Sequence, residues 1–150
     1  MKPGQDLNWL SAKKKGNNVP DKPVIFFDGY CILCNSFVDF LLHIDKKDRL
    51  QFASLQGNTA HNLLDSKTTK NNDTVILRTG EGGIFIKSEA VLRVIVILGG
   101  LWKFVSIFRI LPVSFRDCIY DWIAKNRYGW FGKRDACRLP TEGEKHKILE

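Results

Sequence analysis

The sequence is poor in the side chains that hold metals: three histidines and four cysteines in 150 residues. His43 lies among apolar residues, His61 in a polar stretch and His146 in the tail. A structural zinc normally takes a second Cys or His pair at short spacing, and none is present. Four cysteines are also too few for a disulfide-dense secreted scaffold of this length. No uninterrupted run of about 20 apolar residues exists. Residues 91–111 come nearest, but Arg93, Lys103, Arg109 and two glycines break them. The opening "MKPGQDLNWLSAKKKGNNVPDKP" lacks the apolar core of a secretory signal, so the cytoplasm is the expected compartment. There a Cys-x-x-Cys is more often catalytic or metal-binding than structural. A stripe of Lys and Arg with interleaved aromatics is missing too. The net charge of +7 divides as +3 over residues 1–22, −1 over 23–90 and +5 over 91–150. Nucleic acid is therefore not expected as a partner.

What the sequence does contain is concentrated in "VIFFDGYCILCNSFVDFLLHID", residues 24 to 45. "KPVIFFD" is continuous, β-branched and aromatic, as in a strand buried on both faces. After Asp28-Gly29 the period changes. Phe37, Phe40, Leu41 and Ile44 recur at helical spacing behind Cys31 and Cys34.

Further along, "RLQFASL" predicts a second strand and "GNTAHNLLDS" a short helix. "DTVILRT" and "GIFIKS", joined through "GEG", predict a hairpin. "SEAVLRVIVILGG" predicts a helix with Ser88 as N-cap and Gly99-Gly100 as its stop. Two more helices are expected to pack by their apolar faces. One carries Leu101, Phe104, Val105, Phe108 and Leu111. The other, opened by Ser114, carries Phe115, Cys118, Ile119, Trp122 and Ile123. Residues 1–22 have little periodicity and are expected to form a flexible arm ahead of one domain, 23–150, with C-terminal helices from about 101. The order β-α-β-α-β-β-α followed by two helices is that of a thioredoxin-like α/β fold, with a mixed sheet of about four strands.

Cys31 follows a strand and a glycine at the head of a helix. Free N–H groups and the positive end of the helix dipole favour a thiolate there. Cys34, one turn deeper, is expected to be the less exposed of the two. Cys31 is then the attacking thiol, and Cys34 resolves the mixed disulfide. Asp28 has two readings: a general base for Cys34, or a turn residue capping the helix. Cys118 reads as a buried structural thiol. Cys137, among Lys133, Arg134 and Arg138, is either a third redox thiol or a packing residue. No cofactor and no metal are expected.

"DGYCILC" with "NSFVDFLL", then "FASLQG" and "RYGWFGKRDACRLPT", resemble the DCC family of thiol-disulfide oxidoreductases across residues 23 to 141. The resemblance implies a thioredoxin-like fold and dithiol–disulfide exchange with a protein or small-thiol partner, and it places the family's Asp and two Cys at Asp28, Cys31 and Cys34. Two features depart from better-known thioredoxin-like enzymes. Asp73 or Thr74 stands where a cis-proline would precede the third strand, and Ile32-Leu33 between the cysteines contains no proline. The competing reading is a non-catalytic thioredoxin-fold binding module whose Cys pair is vestigial or ligates a metal.

Overall fold

The computed structural model describes residues 20–69, 74–135 and 140–149. Its centre is β1 (Val24–Phe27), whose four residues are all buried. β1 pairs in parallel with β2 (Gln51–Ser54) and antiparallel with β3 (Ile76–Arg78). β3 turns into β4 (Ile84–Ile86), and the sheet closes at its other edge with β5 (Ile148–Leu149), parallel to β2. The strand order is β4-β3-β1-β2-β5. The first four strands and their helices form the thioredoxin-like fold. The fifth strand has two residues and was too short for alternation to reveal.

Alternation along β1 divides the core, because successive side chains point to opposite faces. Ile25 and Phe27 pack with Cys31, with Cys34, Val38 and Leu41 of α1 (Ile32–Ile44), and with Ala90 and Val94 of α4 (Lys87–Leu98). Val24 and Phe26 face the other way, onto Ala60 of α2 (Asn58–Leu63) and Leu64. A short α3 (Ser66–Thr69) follows. The buried face of α1 runs through Cys34, Val38 and Leu41, so Phe40 is exposed, its ring edge-on to Trp102 with centroids 5.2 Å apart.

Two caps hold the layers in place. Buried Asp45 accepts the N–H groups of Arg49 and Leu50 at 3.0 and 3.1 Å, fixing the turn from α1 into β2. Arg49 in turn donates to the carbonyls of Ile97 and Leu98 at the end of α4, where orphaned C=O groups and the negative dipole end favour a cation. Gly99, at φ 69°, terminates α4 in a conformation that side chains with a Cβ rarely adopt. At the other end Ile86 precedes the helix without a side-chain cap, and the hydroxyl of Ser88 instead donates to Asp117.

The C-terminal elements differ most from expectation. Residues Gly100–Ile110 form a 3-10 segment, and α5 spans Val113–Phe131, with Pro112 rather than the expected Ser114 at its N-cap. Three residues per turn put Leu101, Phe104, Ile107 and Ile110 on one line, and all four are exposed. In α5 the only buried residues are Arg116 and Arg127, while Phe115, Cys118, Ile119, Trp122 and Ile123 lie at the surface. The expected apolar packing of both helices, and a buried Cys118, are thus corrected. The cause is electrostatic. Glu89 on α4 attracts Arg93, Arg109 and Arg116 at 2.8, 3.1 and 3.3 Å. Lys87 pairs with Asp121 at 3.1 Å, Tyr120 accepts the Val75 N–H at 2.9 Å, and Arg127 pairs with Asp28 at 3.1 Å. Together these contacts dock α5 on the domain by its polar side. Among the described residues no helix is long and apolar enough to cross a membrane.

Candidate functional site

The site forms where β1 runs out. Asp28 follows the strand, and the backbone turns so that Cys31 becomes the N-cap of α1. Cys31 Sγ accepts the N–H of Cys34 at 3.3 Å, taking one of the donors that a helix start leaves unpaired. Asn35, buried one turn in, donates to the carbonyls of Gly29 and Cys31 at 2.9 and 2.7 Å and pins the turn. Asp28, Cys31 and Cys34 are therefore brought together as the spacing predicted.

Their exposure is not as predicted. Cys31 is 0% exposed and Cys34 7%, the reverse of the expected order. A strap after α5 runs beside the turn: the backbone of Lys133 pairs with that of Cys31, Gly132 O accepts the Ile32 N–H, and Arg134 N donates to Tyr30 O at 2.7 Å. Gly132, at φ 88°, crosses close above Ile32, with an added Cβ standing 3.2 Å from Ile32 Cδ1. Cys137 and the Asp73 position fall outside the described residues. No cis peptide bond occurs among the described residues, and the Val75 N–H at the start of the third strand is taken by Tyr120.

The structure also brings in residues the sequence did not assign. Arg127 is 2% exposed and sends Nη1 to Cys34 Sγ at 3.7 Å and Nη2 to Asp28 Oδ2 at 3.1 Å. The Tyr128 hydroxyl donates to the same Oδ2. Asp28 Oδ1 accepts from Tyr30 N at 3.0 Å and from Gln56 Nε2 at 3.2 Å. Gln56 Oε1 accepts the Gly29 N–H at 3.2 Å, tying the loop after β2 to the turn. Arg127-Tyr128 opens the third quoted motif and Gln56 lies in the second, "FASLQG". Membership of a motif was the only signal for either.

Burial, then the hydrogen bond and negative charge of Cys31, push the Cys34 thiol from 9.0 up to about 12. Arg127 opposes this rise and Asp28 adds to it. Burial raises Tyr120 and Tyr128 from 10.0 to about 12, and the bond to Asp28 adds to the rise at Tyr128. For Arg127, burial works against the charge, but neighbouring Cys34, Tyr128 and Cys31 more than offset it and hold the group above its ordinary value. The folded state therefore keeps three protons that the unfolded chain releases at lower pH. Stability of the reduced protein is complete below the unfolded thiol value of 9.0 and is lost as pH rises towards about 12. Urea midpoints measured across that range should fall with pH. The fall should be smaller after oxidation, because a disulfide removes the thiol. A flat profile in both forms would refute it.

Among the described residues no three His, Cys, Asp or Glu side chains cluster as a metal site would require. The arrangement offers two adjacent sulfurs, a backbone donor on the first and a guanidinium on the second. The sequence profile of the DCC1-like thiol-disulfide oxidoreductase family matches residues 25–133. The uncharacterized protein YuxK of Bacillus subtilis is 37% identical over 134 residues, covering 87% of this chain and 96% of that protein. A chloroplastic DCC family protein of Arabidopsis thaliana is 29% identical over 136 residues, covering 89% and 78% respectively. No solved structure is significantly similar to the chain. With the profile covering most of its length, the chain belongs to the DCC1-like thiol-disulfide oxidoreductase family.

Proposed function

We propose that the protein is an enzyme that exchanges the Cys31–Cys34 dithiol and disulfide with a protein or small-molecule thiol partner in the cytoplasm. The observation that carries this reading is the placement of Cys31 as N-cap of α1, its sulfur bonded to the Cys34 N–H. A backbone donor at a helix N-terminus stabilises negative charge on that sulfur, which makes Cys31 the attacking thiol and Cys34 the resolving one. Because both sulfurs are buried, a partner disulfide reaches Cys31 only after a local opening of the chain around the turn. Small disulfides should accordingly react sooner than folded proteins. Asp28 accepts four hydrogen bonds, two on each oxygen. A carboxylate so fully engaged is suited to organising the turn and Arg127 more than to receiving a proton.

The reading is tested by mass spectrometry of the purified protein before and after a mild oxidant. Oxidation should remove two hydrogens from the one peptide that contains both Cys31 and Cys34, leaving neither open to alkylation. Neither change should occur in Cys31→Ser or Cys34→Ser. Retention of both free thiols under oxidant, or zinc released by a chelator, would favour the binding-module reading instead.

A further inference from the structure

We propose that Arg127 is a catalytic residue of the resolving step, the cation that accompanies the Cys34 thiolate while it attacks the mixed disulfide on Cys31. The inference rests on the dithiol reading above. Its basis is geometric. Arg127 comes from the far end of the chain, from the last turns of α5, yet it is 2% exposed, with Nη1 at 3.7 Å from Cys34 Sγ. Its other nitrogen is fixed by Asp28 Oδ2 at 3.1 Å and by the Tyr128 hydroxyl at 3.3 Å. A buried guanidinium with one edge anchored and the other on a sulfur is oriented before reaction begins, and preorganised charge of that kind stabilises developing anions. A lysine at this place would supply a point charge but not the two-sided fork.

The charges around Cys34 explain why such a cation is needed. Cys31 stands on its own helix, Asp28 comes from the end of β1, and Tyr120, Arg127 and Tyr128 come from α5. In the dithiol, burial and then Cys31 work against ionisation of Cys34. The first exchange changes this balance. The Cys31 thiolate attacks a partner disulfide, one sulfur of the partner leaves as a thiolate, and Cys31 becomes a neutral mixed disulfide. The charge of Cys31 then no longer opposes Cys34, and Arg127 faces it with a full positive charge. Cys34 loses its proton to water and attacks Cys31 Sγ. The Cys31–partner S–S bond breaks as the Cys31–Cys34 bond forms, and the second partner thiolate leaves and is protonated from water. The enzyme dithiol has been oxidised by two electrons and the partner disulfide reduced to two thiols. Asp28, occupied on all sides, acts here as a positioning residue for Arg127.

The test uses the full chain carrying Cys118→Ser and Cys137→Ser, so that only the pair reports, with dithionitrobenzoate as the disulfide. Attack by Cys31 releases one equivalent of thionitrobenzoate, and resolution by Cys34 releases the second. Arg127→Met should slow the second release by up to about tenfold for each unit that the Cys34 pKa rises, the greater nucleophilicity of the thiolate offsetting part of its loss, shift the pH profile of that phase upward, and leave the first release much less affected. Because Arg127→Met leaves Asp28 buried without its cation, the neutral pair Asp28→Asn/Arg127→Met serves as the companion that keeps its fold, and it should show the same slow second release. Asp28→Asn alone, which retains the guanidinium, should resolve faster than the neutral pair. Rapid second release in both Arg127 variants would overturn the role of Arg127 and leave the dithiol reading intact. A loss in Asp28→Asn as large as in the neutral pair would show that the guanidinium alone gives the step no advantage, and would overturn it as well. Release of a single equivalent by the parent would overturn the dithiol reading beneath it.

Discussion

Replacing Cys34 with serine is expected to turn the protein into a covalent trap. Cys31 Sγ keeps its position at the helix start, so it still attacks an incoming disulfide and forms a mixed disulfide. With no thiolate one turn away, that bond persists. Cys34→Ser incubated in cell extract should therefore accumulate high-molecular-weight adducts that reductant removes. Cys31→Ser should accumulate far fewer, because the sulfur of the pair that remains is buried, and burial is the largest cause that opposes its ionisation. Oxidised glutathione should load Cys34→Ser faster than protein disulfides do, since Cys31 is buried and a larger partner needs a larger opening to reach it. Cys137 supplies the alternative outcome. Were it the resolving thiol, Cys34→Ser would keep turning over and Cys137→Ser would accumulate the adduct. Non-reducing gels of the three single variants separate these cases. Absence of adduct in all three, without bound metal, would leave the binding module as the better account.

The trap depends only on the part of the site that was legible in the sequence. Asp28, Cys31 and Cys34 lie within seven residues, and a strand, a glycine and a helix start define their geometry locally. The sheet was legible for a related reason: "VIFF" is buried on both faces, and a hairpin announces itself by its turn. The burial of the sulfurs was not legible, because it is set by packing with side chains from other elements and by the Gly132–Arg134 strap paired beside the turn, about a hundred residues away. Arg127 escaped for the same reason. The sequence also misled about α5. Its apolar residues fall at helical spacing, and that periodicity normally marks the buried face. Here Glu89 and Asp28 stand on the body of the domain and need cations, so Arg116 and Arg127 turn inward and Phe115, Ile119 and Trp122 turn out. Hydrophobic pattern reports which residues share a face. It does not report which face is taken when carboxylates on the domain compete for the contact.

That competition sets the largest expected stability effect. Asp28 and Arg127 are each 3% exposed at the side chain and 3.1 Å apart. A buried pair gains little over an apolar pair of the same shape, but removing one partner leaves the other charged and desolvated, at about 3–5 kcal/mol. Asp28→Asn should cost that much in urea denaturation of the oxidised protein, where Cys34 has no ionisable thiol. Asp28→Asn/Arg127→Met, which removes both charges together, should recover most of it. Non-additivity of this size is expected only of groups that share one contact. It would mean that α5 docks at the cysteine end chiefly through this pair, with Tyr128 and Gln56 completing the shell around the carboxylate. Should Asp28→Asn cost less than about 1 kcal/mol, the pair would be no stronger than an exposed surface bridge. The docking of α5 would then rest on the contacts of Glu89, Lys87 and Tyr120.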